Sequence, residues 1–199
     1  MIHAHIRSKL FTTVAVSLLL LFPLIAAGSG VQARMVSPAE VAEVRSFVAA
    51  KMTGEPAPVR AEGWLEVLAN HDPVQLNSRN GRPMRLGDRE YTRGLYCHAH
   101  SRIVVRLPAP GKSFRAVVGV DSNEQTSGGR GSVIFRIEAK AGELFHSELM
   151  RENTPALPVD VSLDGATELL LEVTDGGDGI ACDQADWADA RVILNDGRE

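Results

Sequence analysis

The sequence predicts an all-β domain, an antiparallel sandwich or barrel, that begins near Trp64 and follows a short N-terminal helix. Two features of the stretch from Trp64 to Leu194 indicate this fold class. Apolar residues alternate with polar residues over short runs, which is the period of a strand with one buried face. Glycine-, proline- and aspartate-rich turns separate these runs, and no helical pattern lies between them.

Length and composition fit one domain with appendages. The chain has 199 residues, of which 44% are hydrophobic and 23% charged, and these are ordinary values for a globular protein. Its net charge of -4 provides no basic field, which argues against a nucleic-acid partner. Two cysteines are too few for a disulfide-rich scaffold or a four-thiolate zinc site.

Residues 1–33 are predicted to be a secretory signal peptide. Arg7 and Lys9 precede an almost wholly apolar stretch, Leu10–Ala27, and small residues follow up to Ala33. An uncleaved anchor is the alternative, because a stretch of this length just spans a bilayer. Pro23 and the small residues after the stretch favour cleavage near Ala33. We therefore expect a secreted or periplasmic protein with no membrane contact after cleavage.

Residues 34–60 are predicted to form a short helix and a linker. Ser37 is suited to cap the helix, Pro38 fits its first turn, and Glu40 completes a capping box. Apolar residues then recur at helical spacing, at Val41, Val44, Phe47 and Val48. The helix should end near Met52, before the stiff segment Glu55–Pro58.

The body of the protein, residues 61–196, carries the strand-like runs. We predict strands over 101–107, 114–120, 133–138, 159–163, 167–174 and 190–194. Five arginines lie between Arg79 and Arg93, with Asp88 and Glu90 among them. Such a mixed run is typical of a solvated hairpin edge, where charge discourages unwanted strand pairing.

An acidic, glycine-rich segment near the C-terminus is the first candidate site. Asp175, Asp178 and Asp183 lie close together in sequence, and Asp186 and Asp189 follow. Several carboxylates on a flexible loop could bind calcium, although the spacing is not that of an EF-hand. The alternative is a set of Asp-Gly turns, in which each aspartate bonds its own backbone. We favour turns, and calcium remains the only cofactor that this sequence suggests.

Histidines, a tryptophan and the two cysteines complete the candidates. His98 and His100 form an H-x-H pair that lacks a third zinc ligand, so we expect one imidazole to pack against an aspartate. Trp187 could lie beneath a sugar ring or in the core. Cys97 and Cys182 are the only cysteines, and an exported protein with one pair most simply forms one disulfide. A catalytic cysteine would need a free thiol outside the cell.

Four ordered segments resemble the NPCBM family, the carbohydrate-binding module first noted on family 98 glycoside hydrolases. They are Arg85–Tyr91 continuing into Gly94–Ser101, then Phe114–Asp121, Gly131–Phe135 and Leu169–Ala190. The last segment resembles the family ending "L-x-L-x-V-x-D-x-G-D-G-x-x-x-D-x-A-D-W-A-D-A". The resemblance runs over nearly all of the predicted mature chain. Tyr96 replaces a glycine of the usual pattern, so the family's sugar preference is not carried over.

The resemblance implies a galactose-binding-like jelly roll, a two-sheet antiparallel β-sandwich, that binds sugar without catalysis. We therefore expect an exported, non-catalytic module that recognises glycans, with a separate glycosidase or a cell-surface protein as a further partner. From motif position, the residues expected around the sugar are His98, Asp121, Glu124, Asp183, Asp186 and Trp187. The resemblance also implies that the His98 strand lies beside the Asp183 loop, which would bring Cys97 near Cys182.

Two other functions fit the same fold. One is a structural or adhesive module that binds a protein partner. The other is a small secreted glycoside hydrolase, or an accessory subunit of one. No single pair of carboxylates is marked as catalytic, and no nucleophile elbow, phosphate loop or H-E-x-x-H motif occurs in the sequence.

Overall fold

The computed structural model describes Val41, Val44, Arg45, Val48 and residues 62–199. The predicted signal peptide lies outside these residues, as does most of the predicted N-terminal helix. The four isolated residues have helical backbone and are exposed. In the described part of the chain, no helix is long and apolar enough to cross a bilayer.

Twelve strands form the body of the protein. In chain order they are β1 (Trp64–Ala69), β2 (Gln75–Leu76), β3 (Met84–Leu86), β4 (Arg89–Tyr91), β5 (Gly94–His98), β6 (Ser101–Arg106), β7 (Gly111–Val120), β8 (Ile134–Ala139), β9 (Gly142–His146), β10 (Leu157–Ser162), β11 (Glu168–Thr174) and β12 (Gln184–Leu194). The first sheet has the order β1-β6-β11-β8-β9, and the second has the order β10-β7-β12-β5-β2. Every pairing is antiparallel. The predicted all-β, two-sheet antiparallel fold is confirmed.

Alternation along the central strands builds the core between the sheets. Ile103, Leu171 and Phe135 from the first sheet are fully or almost fully buried, and Val118 and Trp187 of the second sheet lie in the same cluster. Burial of this alternating apolar face is the main force that holds the two sheets together.

The outer face of the second sheet is covered at one end by the β3–β4 hairpin. Met84 and Leu86 of the hairpin are buried there in a second, smaller cluster with Tyr96 and Ala188. Gly119 allows this close approach, since a Cβ at that position would lie 3.1 Å from a methyl group of Leu86. The hairpin therefore covers the second sheet beside the ends of β5 and β7 and the start of β12.

Candidate functional site

A polar cleft of about 530 Å³ opens at the end of the second sheet, where β7 finishes. The loop before β3, the β3–β4 hairpin itself and the loop after β7 form its walls. The lining residues are Arg79, Arg82, Pro83, Arg85, Glu90, Asp121, Ser122, Asn123, Glu124 and Ser127. Guanidinium, carboxylate, amide and hydroxyl groups dominate this list, so the cleft suits a ligand that both donates and accepts hydrogen bonds.

Asp121 is the anchor of the cleft. It directly follows β7 and is 1% exposed. Its Oδ2 accepts a hydrogen bond from the backbone N–H of Arg85 at 3.1 Å, and its Oδ1 accepts one from Nδ2 of Asn123 at 2.6 Å. Its Oδ1 also lies 3.4 Å from Nε of Arg79. One carboxylate thus ties together three separate segments of the cleft wall.

Arg79 is buried, although it belongs to the run predicted to be a solvated edge. It pairs with Arg82 across a tight turn in which Asn80 and Gly81 both have positive φ, 51° and 76°. An Asn-Gly dipeptide favours this turn. The guanidinium carbon of Arg79 lies 5.9 Å from the ring centroid of Tyr96, and its Nη2 lies 3.6 Å from Oε1 of Glu124. Arg79 therefore links the buried floor of the cleft to its rim.

Glu124, Arg82 and Arg85 form the exposed part of the cleft. The Glu124 side chain is 72% exposed. Hydrogen bonding to its own backbone, followed by the charge of Arg79, lowers the pKa of Glu124, so it is a carboxylate at neutral pH. The Nε of Arg85 donates to the backbone carbonyl of Ser122 at 3.1 Å.

Asp186 lies behind the cleft and is fully buried. It projects from β12 on the hairpin side of the second sheet, opposite Tyr96 in the strand register. Burial, followed by the charge of Asp121, raises its pKa well above the usual range. Burial therefore favours the protonated form of Asp186, which does not line the cleft.

Asp183 occupies a different position at the same end of the sandwich. Its Oδ1 accepts the backbone N–H of Ser132 at 2.7 Å, and its Oδ2 is buried with no hydrogen-bond partner in the described structure. Burial is the largest cause that raises the pKa of Asp183, to about 6. This aspartate fastens the loop before β8 to the start of β12 and does not line the cleft.

The aspartates proposed for calcium have separate partners. Oδ1 of Asp175 accepts the backbone N–H of Gly177 at 3.1 Å, which makes an aspartate turn. Asp178 accepts a hydrogen bond from the Ser132 hydroxyl, and its Oδ2 lies 3.3 Å from Nη2 of Arg151. Within the described residues, no three acidic, histidine or cysteine side chains are arranged to hold a metal ion. The turn interpretation therefore describes Asp175, whereas Asp178 and Asp183 bond distant residues of the fold.

His98 lies at the predicted end of the sandwich but outside the cleft lining. It ends β5 and is 5% exposed, and its Nδ1 lies 2.9 Å from the backbone oxygen of Ala99. Its ring contacts that of His71 in a tilted arrangement, with centroids 4.8 Å apart and an interplanar angle of 45°. The other histidine of the pair, His100, lies 3.6 Å from Oδ2 of Asp175. The expectation of an imidazole against an aspartate is met by His100.

Trp187 is the clearest correction to the predicted ligand set. It is completely buried between the sheets, where it makes edge contacts with Phe135 and Phe114 at centroid distances of 5.0 Å and 6.2 Å. Trp187 points inward because it alternates with Asp186, which faces the hairpin. A ring in this position cannot lie beneath a sugar, so the core interpretation is the right one.

The predicted disulfide is also absent, since Cys97 and Cys182 are both free. Cys97 points into the core, where its Sγ lies 3.5 Å from the carbonyl oxygen of Ala185. Cys182 lies in the loop before β12 with a φ of 68°. The expected neighbourhood is correct, because the N–H of Ala99 donates to the carbonyl of Asp183 at 3.0 Å. Adjacent backbones do not make a disulfide when one sulfur faces the core.

The structure brings only part of the expected residue set to this cleft. Asp121 and Glu124 line the cleft, whereas Asp186, His98, Asp183 and Trp187 are buried outside its lining. Three cleft arginines, Arg79, Arg82 and Arg85, were missed as site residues. The Asn-Gly turn at residues 80–81 is the one sequence signal beside these arginines. Runs of charged residues on hairpins are common, and whether such residues are buried depends on partners that are distant in sequence.

A family model described as the NPCBM/NEW2 domain matches residues 53–193. A relative from Renibacterium salmoninarum, named as an endo-alpha-N-acetylgalactosaminidase, is 27% identical over 135 residues. That alignment covers 68% of this chain but 9% of the relative. The chain thus matches a small part of that much longer protein.

Two solved structures have a similar fold. One is CBM51 from Clostridium perfringens GH95 in complex with methyl-galactose, with a TM-score of 0.56 and 28% identity over 64% of this chain and 92% of that chain. The other holds the CBM51-2 and INT domains of Clostridium perfringens ZmpB, with GlcNAc bound to CBM51-2. It has a TM-score of 0.58 and 25% identity over 64% of this chain and 29% of that chain.

Proposed function

The chain belongs to the NPCBM/NEW2 domain family, and from this membership we propose that it binds carbohydrate, without hydrolysing it, in the cleft between Asp121, Glu124 and the arginines of residues 79–85. The similar modules were solved with methyl-galactose and with GlcNAc, so a hexose is the ligand class we propose for this chain.

The observation that carries the proposal is the polar lining of the cleft. Each sugar hydroxyl both donates and accepts a hydrogen bond, so a site with carboxylates and guanidinium groups side by side can satisfy both. Glu124 supplies an exposed acceptor from the loop after β7, and Arg82 and Arg85 supply donors from the segment at β3. Asp121 and Arg79 hold the loops that carry these groups, which preorganises the site.

The state of the carboxylates supports binding without hydrolysis. A glycosidase places two carboxyl groups on either side of the bond that it cleaves. Asp121 is buried and accepts hydrogen bonds from Arg85 and Asn123, so it offers no free carboxyl group to a substrate. Glu124 and Glu90 are exposed on separate segments of the rim. We expect purified protein to release no sugar from generic aryl glycosides.

The test is a glycan array followed by calorimetric titration with methyl-galactose and with GlcNAc. We expect Glu124→Ala and Arg82→Ala to weaken binding by roughly five- to a hundredfold, the cost of losing charged hydrogen bonds to a ligand. Glu148→Ala and Arg102→Ala are the matched controls, since both residues are exposed and outside the cleft lining. Binding that survives both cleft substitutions, or equal losses in the controls, would contradict this site.

We also propose that the protein is exported and that its mature chain begins after Ala33. The charged start, apolar stretch and small residues of segment 1–33 support this. Expression of the full chain in a bacterial host with fractionation, followed by mass spectrometry of the exported form, should give an N-terminus at residue 34. Recovery of the intact N-terminus in the membrane fraction would instead indicate an anchor.

A further inference from the structure

Asp186 has an environment that the sugar site does not explain. It is a fully buried carboxyl group, and neither of its oxygens accepts a hydrogen bond from a donor in the described structure. Its β12 backbone is paired with Tyr96 of β5 on one side and with Gly119 of β7 on the other. A buried carboxyl group that accepts no hydrogen bond destabilises the folded state unless it can donate one itself.

The charged groups around Asp186 come from two elements. The loop after β7 contributes Asp121, and the loop between β2 and β3 contributes Arg79. Strand β5 adds the Tyr96 side chain, which burial keeps neutral by raising its pKa to about 12. The covering hairpin adds the apolar side chains of Met84 and Leu86. One guanidinium thus faces two buried carboxyl groups.

That guanidinium is already shared with a third carboxylate. Arg79 lies 3.4 Å from Asp121 and 3.6 Å from Glu124 at the rim. A second ionised carboxylate next to Asp121 would have no counter-charge of its own in a dry environment. Arg85 and Asn123 donate hydrogen bonds to Asp121, whereas neither oxygen of Asp186 accepts one in the described structure. A proton on Asp186 would give both carboxyl groups a partner.

We propose that Asp186 is a positioning residue, whose protonated carboxyl group donates a hydrogen bond to Asp121 and thereby fixes Asp121 against Arg79, so that Arg79 holds Glu124 at the cleft rim. This inference rests on the proposed function, because it takes the cleft as the sugar site. It assigns a role to a residue that never touches the sugar.

The first experiment measures the proton directly, in the full chain and without ligand. Carbon-detected NMR of selectively labelled aspartate follows the Asp186 carboxyl carbon across a pH titration. We expect the shift of a protonated carboxyl group at about pH 6, where an ordinary aspartate is ionised. An ionised Asp186 at that pH would overturn the proposal.

The second experiment separates positioning from simple packing. Asp186→Asn keeps a neutral donor that can face Asp121, whereas Asp186→Ala removes it. We expect the slowly exchanging Nε–H signal of Arg79, and the affinity for methyl-galactose, to persist in Asp186→Asn. In Asp186→Ala the Arg79 signal should broaden and binding should weaken by roughly five- to a hundredfold. Thermal melts of both variants establish that they are folded.

The outcomes distinguish the two proposals. An Arg79 signal unchanged in Asp186→Ala would overturn the positioning role whatever happens to sugar binding. If Asp186 is protonated and Arg79 responds as expected, but wild-type protein binds neither methyl-galactose nor GlcNAc, then the carboxyl pair stands and the proposed sugar site fails. Should Asp186→Ala not fold, the NMR titration of the wild-type chain still decides whether the donor exists.

Discussion

Single buried groups set the chemistry of this end of the sandwich. Asp183 is 0% exposed and keeps one carboxylate oxygen without a partner, while the other accepts the backbone N–H of Ser132. Asp186 is buried on the other face of the sheet, where burial raises its pKa well above the usual range. The position of each residue was predictable from its motif. Its burial was not, because burial depends on which face of a strand a residue occupies.

Asp183 should make stability fall as pH rises from about 4 to about 6. An unfolded aspartate ionises near pH 3.9, whereas burial raises the folded pKa of Asp183 to about 6. Over that interval the native state holds the proton that the unfolded state has released, so the free energy of unfolding decreases as pH increases. Asp183→Asn keeps an oxygen that can accept the Ser132 N–H but cannot ionise. We expect this variant to reduce the pH-dependent change in the free energy of unfolding by about 1–3 kcal/mol.

Urea denaturation between pH 4 and pH 7 measures the effect. Asp160→Asn is the control, because Asp160 is exposed on β10. Asp186 has a raised pKa as well, so Asp183→Asn should reduce the slope and not abolish it. A slope identical to that of the wild-type protein would contradict the assignment.

Thiol chemistry should distinguish the two cysteines. Burial raises the pKa of Cys97 to about 12, so its reactive thiolate is scarce at neutral pH, and the side chain is inaccessible in the core. Cys182 is partly exposed. We expect iodoacetamide to add one label to the native protein and two to the protein in urea, as counted by intact mass. A gain of two daltons in mass on reduction would show that the disulfide forms and would contradict the free thiols.

At the scale of elements, β12 shows where sequence patterns fail. Its predicted part begins at residue 190, yet the strand begins at Gln184. Ala185 and Trp187 face the core, but after the irregularity at Asp189 the core-packed positions become Ala190 and Val192. The bulge shifts the alternation by one residue and hides the first half of the strand.

The pairing of β5 with β12 at this bulge depends on Gly94. Its φ is 133°, and a Cβ there would lie 2.2 Å from the carbonyl oxygen of Trp187. We expect Gly94→Ala to destabilise the protein by more than about 2 kcal/mol, because backbone strain and a clash with the partner strand add together.

Gly142→Ala is the matched control for the clash. Gly142 also has a positive φ, 120°, but a Cβ there would meet open space. Its substitution should therefore cost only the backbone strain, about 1–2 kcal/mol. Chemical denaturation of both variants gives the comparison, and equal losses would show that the approach to Trp187 is looser than described.

For the whole molecule, alternating apolar residues and turn residues were sufficient to predict the two sheets, but not the hairpin that covers one of them. The runs that became β6, β7, β8, β10 and β11 were predicted close to their observed bounds. The β3–β4 hairpin was predicted as a solvated edge, yet Met84 and Leu86 are buried against the second sheet. Short strands flanked by arginines do not reveal which apolar side chains meet a distant sheet, and the cleft depends on that contact.

Divalent cations should leave the stability of the whole protein unchanged. A cation that binds only the folded state raises the melting midpoint by mass action. The candidate carboxylates have partners already, since Asp175 accepts the N–H of Gly177 and Asp178 is paired with Ser132 and Arg151. Displacing these bonds would cost free energy that two or three scattered oxygens could not restore. We expect midpoints in EDTA and in excess calcium to agree within about 1 °C.

Sodium chloride at matched ionic strength is the control, because screening alone shifts surface ion pairs. A rise of several degrees that saturates with calcium, and that Asp178→Asn abolishes, would place a cation at the acidic loop against this expectation. A midpoint that does not respond means that this loop is held by its own hydrogen bonds. Carbohydrate binding in the cleft should then be insensitive to EDTA, because Asp121 and Glu124 both pair with Arg79.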